Sequence, residues 1–409
     1  MRLLIADKLH PRAIEELRTL PVEVLYEPEL TKETLQSKLT SVGILVVRST
    51  EVTAEAIESA KHLNLIVRAG AEFHTIDVRA ASQRGIYVAN CPGKNASAVA
   101  ELVMGMIVAL DRRIPDAVQS LRASRWERAE YSKSEGLVGR TIGIAGFGAI
   151  GREVCHRAKA FGLHPLVWSR SMTHAKAQQE GVTCVSSLEE LATRSDIFTV
   201  HLRLTDRTKG IIGKNVFDAL PKGASFLNLA RADLVDYAAM KTAVKSKALR
   251  VALDVYPDEP KGLIKKEYVS ELFTAPSSST EGFVYGTPHI AASTDQGQLS
   301  IATETVRVIR AYLLEGSAIN CVNVSNTSLA KFNLVLRMVD KVGTIANVLA
   351  VIKRHGINVE EITNNVFEGG IAACAKLRVV SRPSEACLAE IRAFDEVLHV
   401  DVVTLPNLA

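Results

Sequence analysis

Residues 141–154 read TIGIAGFGAIGREV. Thr141 to Ala145 is a short apolar run of strand type, and Gly146, Gly148 and Gly151 follow it in G-x-G-x-x-G spacing just as a helical stretch opens at Arg152-Glu153-Val154. With 25 glycines in 409 residues, the bare spacing arises by chance about one time in ten, so its place between strand and helix carries the weight. The first glycine makes the tight turn, the second admits a pyrophosphate to the backbone, and the third lets the helix pack closely. The free N–H groups of the first helical turn, at Ala149, Ile150 and Gly151, then face the anion.

A dinucleotide unit that takes NAD places Asp or Glu about 20 residues on, where it accepts from the ribose hydroxyls. Here that place reads Trp168-Ser169-Arg170-Ser171. A carboxylate would repel a 2′-phosphate, whereas Ser169 offers it a hydrogen bond and Arg170 a charge, so NADP is expected in preference to NAD.

Outward from this turn, TIGIAGF, HPLVWS, DIFTVHL, ASFLNLA and RVALDVY read as strands separated by helix-length segments. RLLIAD, VEVLYE, GILVVRS, LNLIVRAG and GIYVANC repeat the pattern before it. Two α/β units with parallel sheets are expected. SAVAELVMGMIVALDRRI, residues 97–114, is apolar nearly all round and reads as a buried helix. Beyond a polar connector, NVSNTSLAK, the grammar changes. FNLVLRMV alternates, Ile345, Val348, Leu349 and Ile352 form a helical stripe ending at Gly356, and INVEEITNNVF and IAACAKLRVV meet at Glu368-Gly369-Gly370. SEACLAEIRAF and HVDVVTL then complete β-α-β-β-α-β, a ferredoxin-like α+β unit.

The hydrophobic fraction of 47% and charged fraction of 23% are those of a globular chain, and a length of 409 residues suits two to three domains. A net charge of +4 argues against nucleic acid as a partner. The six cysteines form no C-x-x-C pair or Cys/His cluster, so no metal is expected and the thiols suit a reducing compartment. The N-terminus meets Asp7, Lys8 and a proline before a signal-length apolar core forms, and no run of eighteen apolar residues occurs. The expectation is a cytoplasmic protein without membrane contact.

The strings RAGAEFHTID, NCPGKNASAVAELVMGM, GFGAIGRE, NLARADLVD, ALDVYPDEP and TPHIAAST occur in the order seen in the D-2-hydroxyacid dehydrogenases, and the chain resembles that family along nearly its whole length. The resemblance implies a discontinuous flavodoxin-like substrate domain (1–97 and 288–325), a Rossmann NAD(P)-binding domain (98–287) and an ACT-like regulatory domain (326–409). Within the family the chain looks most like the members that oxidise 3-phosphoglycerate to 3-phosphohydroxypyruvate on the way to L-serine.

By the same resemblance Arg231, Glu259 and His289 are catalytic. His289 takes the hydroxyl proton as hydride leaves carbon, Glu259 orients its ring and stabilises the charged form, and Arg231 grips the substrate carboxylate. Asp254 is expected on the nicotinamide side of the cofactor. Arg48, Ser49, Arg68, Gly70, Asn95 and Gln298 match substrate-side positions, and Arg128 matches an arginine that reaches a neighbouring subunit, which implies a homodimer or homotetramer. Asp340, Gly343 and Asn358 match an amino-acid effector loop, although Met338 stands where serine-inhibited members often carry histidine.

Some residues depart from the family pattern. Glu72 replaces a glycine where backbone N–H groups approach a carboxylate, and Asp233 replaces a glycine after Arg231. The stretch between Pro260 and Thr287 is longer than usual, which suggests a lid or rearranged edge. Glu72 and Ser169-Arg170 favour a second reading, an NADPH-dependent reductase of glyoxylate, hydroxypyruvate or another 2-oxo acid. A third is a nucleotide-sensing binding protein like the co-repressors of this superfamily, against which the full catalytic set argues.

Overall fold

Runs such as Ile44-Leu45-Val46-Val47 are apolar at every position and suit strands covered on both faces. The chain, seen in a computed structural model that describes residues 1–260, 267–273, 281–325 and 328–406, uses them so. It divides into two units, Met1–Asn323 and Val324–Ala409.

In the first unit β1 (Arg2–Ile5), β2 (Glu23–Tyr26), β3 (Ile44–Val47), β4 (Leu65–Arg68) and β5 (Tyr87–Asn90) form a parallel sheet in the order β2-β1-β3-β4-β5. One face is closed by residues such as Leu35, Leu39 and Ile57. The other is closed by Ile14 and Leu17 and by Ile301, Val306 and Ile309 of the long helix Asp295–Glu315, which brings the chain back to this sheet from its far end.

The second sheet holds β6 (Thr141–Ala145), β7 (His164–Trp168), β8 (Thr183–Cys184), β9 (Ile197–Val200), β10 (Ser225–Asn228), β11 (Arg250–Leu253) and β12 (Phe283–Gly286). Its order, β12-β11-β10-β9-β6-β7-β8, is parallel throughout and reverses direction beside β6, the switch point at which doubly wound sheets bind nucleotides. Helix Ala96–Arg112 lies against it, with Val99, Val103 and Leu110 in the same core as Ile142 and Ile144, so the nearly all-round apolar stretch is buried. β8 and β12 add to the five strands foreseen in the sequence. β8 is two residues long, and β12 ends on a glycine, so neither carries a full period-2 signature.

The second unit has β13 (Phe332–Val339), β14 (Val359–Val366), β15 (Ala372–Val379) and β16 (Val397–Thr404) in the antiparallel order β14-β15-β13-β16. Helices Thr344–Arg354 and Glu385–Arg392 cover one face through Val348, Ile352 and Ile391. Among the described residues no helix is long and apolar enough to cross a membrane. Half of the long stretch between Pro260 and Thr287, residues 261–266 and 274–280, lies outside the described residues.

Candidate active site

The turn after β6 is built as its glycines require. Gly146 has φ +103, and a Cβ there would lie 2.5 Å from the His201 carbonyl oxygen. A Cβ at Gly151 would strike the Gly146 carbonyl oxygen. At Gly148, the N-cap of helix Ala149–Ala160, a Cβ would meet open space, and Gly148 and Ala149 are exposed. An uncovered cradle with unbonded N–H groups at a helix start fits a pyrophosphate. Ser169 and the exposed Arg170 follow the end of β7, and among the described residues the Arg170 guanidinium makes no hydrogen bond or ion pair.

His289 follows β12 and Glu259 follows β11, neighbouring strands of one sheet, and His289 Nδ1 lies 2.7 Å from Glu259 Oε1. The other oxygen of Glu259 accepts from the Tyr256 backbone N–H at 3.3 Å. Tyr256 Oη donates to the Leu253 and Thr287 carbonyls, tying the two strand ends together. His289 has φ +51, a left-handed conformation that costs a non-glycine residue about 1–2 kcal/mol.

Asp254 holds that strained turn. Its Oδ1 accepts from Thr287 Oγ1 at 2.6 Å and Ile290 N at 2.8 Å, and its Oδ2 accepts from Ala291 N at 2.8 Å. Burial raises its pKa above the ordinary aspartate value and these hydrogen bonds oppose the rise. The residue is 0% exposed, and both oxygens of its carboxylate are engaged by the His289 loop.

Arg231 caps the short 3₁₀ turn Ala232–Leu234 after β10, where Asn228 Nδ2 donates to its carbonyl. Its Nη1 donates to the Ala230 carbonyl and its Nη2 faces Glu72 Oε1 at 3.6 Å. Glu72, Phe73 and His74 come from the loop after β4, so groups of both sheets meet here. Arg203, beyond β9, stacks on Phe73 with its Cζ 5.2 Å from the ring centroid. The His74 imidazole is held below its ordinary pKa by burial and by Arg231 and Arg68.

Arg48 and Arg68 end adjacent strands of the first sheet. Burial lowers the pKa of both, and Arg48 lowers that of Arg68 further, as expected of neighbouring cations. Arg68 folds over Gly70, where any Cβ would strike its guanidinium, and its buried Nε has no hydrogen-bond partner. Asp7 shapes the turn at Arg48: its Oδ2 accepts from the N–H groups of Arg48, Ser49 and Thr50 at 2.6, 3.1 and 3.0 Å, and its Oδ1 accepts from Ser49 Oγ. The two guanidiniums, neither in an ion pair among the described residues, thus stand beside a polar turn.

Asn95 caps helix Ala96–Arg112 without a side-chain hydrogen bond, and Gln298 Nε2 donates to the Ala292 carbonyl. Arg128 is exposed in the short helix Arg128–Tyr131, and among the described residues its side chain makes no hydrogen bond or ion pair. In the second unit Asp340 and Gly343 lie at the start of helix Thr344–Arg354 while Asn358 lies beyond its end, about 16 Å of helix away. The three therefore do not form one cluster within a chain. Asp7 and Arg203 were not singled out from sequence; each acts on a partner more than forty residues distant, which local spacing does not reveal. No cluster of three metal-binding side chains occurs among the described residues.

Residues 104–291 match the family described as D-isomer specific 2-hydroxyacid dehydrogenase, NAD binding domain. The D-3-phosphoglycerate dehydrogenase of Methanocaldococcus jannaschii is 36% identical over 351 residues, 84% of this chain and 64% of that protein. The chain thus spans less than two thirds of that relative. Among solved structures, an NAD⁺-bound 3-phosphoglycerate dehydrogenase from Entamoeba histolytica is similar with a TM-score of 0.63 and 26% identity, covering 79% of this chain and 99% of that one. An NADPH-dependent glyoxylate/hydroxypyruvate reductase from Sinorhizobium meliloti, in complex with NADP and malonate, gives 0.65 and 26%, covering 78% and 96%.

Proposed function

We propose, from the match of residues 104–291 to the D-isomer specific 2-hydroxyacid dehydrogenase NAD-binding family, that the chain interconverts a 2-hydroxy acid and its 2-oxo acid, with 3-phosphoglycerate and 3-phosphohydroxypyruvate as the first candidate pair. The 2.7 Å contact between His289 and Glu259 carries the reading, since it supplies an oriented imidazole after β12 of the parallel sheet whose strands β10 and β6 end at Arg231 and the glycine turn. Gly146, Gly148 and Gly151, with Ser169 and Arg170, would hold a nicotinamide dinucleotide, which when bound would supply or accept the hydride. His289 takes the hydroxyl proton in oxidation and returns it in reduction, and Glu259 stabilises the imidazolium. Arg231 anchors the carboxylate and polarises the adjacent carbonyl. Arg48, Ser49 and Arg68 receive the phosphate.

A second reading, an NADPH-dependent reductase of glyoxylate or hydroxypyruvate, draws support from Glu72, whose charge already faces Arg231. NADP is proposed over NAD because Ser169 and Arg170 stand where an acidic residue would select NAD. Oligomerisation is supported by Ile114, Val118, Leu121 and Trp126, exposed apolar residues just before Arg128. An amino-acid effector role for the second unit rests on Asp340 and Gly343, and titrating L-serine against the initial rate tests it.

The deciding assay is a panel of 2-oxo acids, including 3-phosphohydroxypyruvate, with NADPH and NADH. Highest kcat/KM with the phosphorylated acid supports the first reading, and preference for glyoxylate or hydroxypyruvate supports the second. Cofactor binding without turnover on any acid defeats both.

A further inference from the structure

Two successive side chains of the loop after β4 reach groups borne by the second sheet. Glu72 Oε1 faces Arg231 Nη2 at 3.6 Å, and Phe73 lies under Arg203. Arg231 has one arm of its guanidinium on the Ala230 carbonyl. The arm left for a ligand therefore already faces a carboxylate. Both side chains of the pair are about one third exposed, 35% for Arg231 and 36% for Glu72, so an incoming anion can reach between them. The other charged groups nearby, Arg68 and His74, come from the same loop region, and His74 is pushed toward its neutral form.

We propose that Glu72 is a specificity-determining residue: a resident carboxylate that the substrate's own carboxylate must displace from Arg231. The proposal rests on the reading of Arg231 as the substrate anchor. A partly exposed ion pair at this separation is weak, while a carboxylate taken by Nη2 together with Nε is held by two hydrogen bonds, so the exchange proceeds but weakens substrate binding about two- to five-fold. The displaced Glu72 charge stays beside the bound substrate. It favours 2-oxo acids with one carboxylate and opposes those bringing a second carboxylate to that side of the crevice.

The test compares the full chain with its Glu72→Gln and Glu72→Ala variants at saturating reduced cofactor. Two quantities are read: KM and kcat for hydroxypyruvate, and the Kd of oxamate, an unreactive carboxylate, by calorimetry. Both variants are expected to lower KM and the oxamate Kd about two- to five-fold, with a smaller change in kcat and an unchanged thermal midpoint. Unchanged or weaker oxamate binding in both variants overturns the proposal, because Glu72 then does not compete for Arg231. If the wild-type chain turns over no 2-oxo acid, the catalytic reading fails by itself and the oxamate comparison still decides the role of Glu72. Oxamate binding to none of the three proteins overturns both.

Discussion

His289 Nδ1 and Glu259 Oε1 lie 2.7 Å apart although thirty residues separate them in sequence. The contact leaves Nε2 as the ring atom free to exchange a proton with substrate. His289→Ala is expected to lower kcat by about 10²–10⁴ with cofactor binding intact. Glu259→Gln keeps the side-chain shape and removes the charge, so it should cost less and alter the pH dependence of kcat/KM. Near-normal turnover in the His289 variant would assign the proton transfer to another group.

The strained turn at His289 depends on Asp254, which accepts one side-chain and two backbone hydrogen bonds around it. Hydrogen bonds to a charged acceptor contribute about 1.5–3 kcal/mol each, while burial of the carboxylate opposes them. Asp254→Ala should therefore lower the thermal midpoint and reduce kcat more than it changes the Kd of the dinucleotide. A variant with wild-type kcat and weakened dinucleotide binding would instead make Asp254 a cofactor contact.

Local patterns made most of this fold legible. The glycine turn, the ten apolar strand runs and the alternation of FNLVLRMV each reflect constraints imposed within a few residues. The hold of Asp254 on the His289 turn was not legible, because its sequence neighbours say nothing of the three donors, more than thirty residues on, that occupy its carboxylate. Glu72 was legible as an odd residue in its loop, but its partner Arg231 is set by how the loop after β4 meets the turn after β10. β8 escaped because a two-residue edge strand needs little pattern of its own, and β12 because its four residues, FVYG, end on a glycine.

Glu304, 4% exposed on the helix Asp295–Glu315, accepts from Arg307 Nε and Nη2 and from Asn320 Nδ2, and pairs with Lys94 at 3.2 Å. Lys94 precedes Asn95, so the carboxylate ties that loop to the helix. These partners, with Arg307 foremost, hold its pKa down to about 2 from an ordinary 4.5. A depressed carboxylate stabilises the fold fully above the unfolded value and loses that contribution as pH falls from 4.5 toward 2, up to about 3 kcal/mol in all. Glu304→Gln should lower the urea midpoint at pH 7, with the deficit shrinking between pH 4.5 and pH 2. A deficit independent of pH over that range would mean that packing, not charge, accounts for it.

Gly148 and Gly151 belong to one fingerprint but face different surroundings. A methyl group at Gly151 strikes the Gly146 carbonyl, whereas at Gly148, with φ −84, it enters open space beside the unbonded N–H groups. Gly151→Ala should therefore lower the thermal midpoint and weaken dinucleotide binding together. Gly148→Ala should leave the midpoint unchanged and raise the dinucleotide Kd by about ten- to hundred-fold, the equivalent of one lost backbone contact to a charged phosphate. Unaltered dinucleotide affinity in the Gly148 variant would place the pyrophosphate somewhere other than this turn. Equal destabilisation by both substitutions would mean that Gly148 serves the fold and not the ligand.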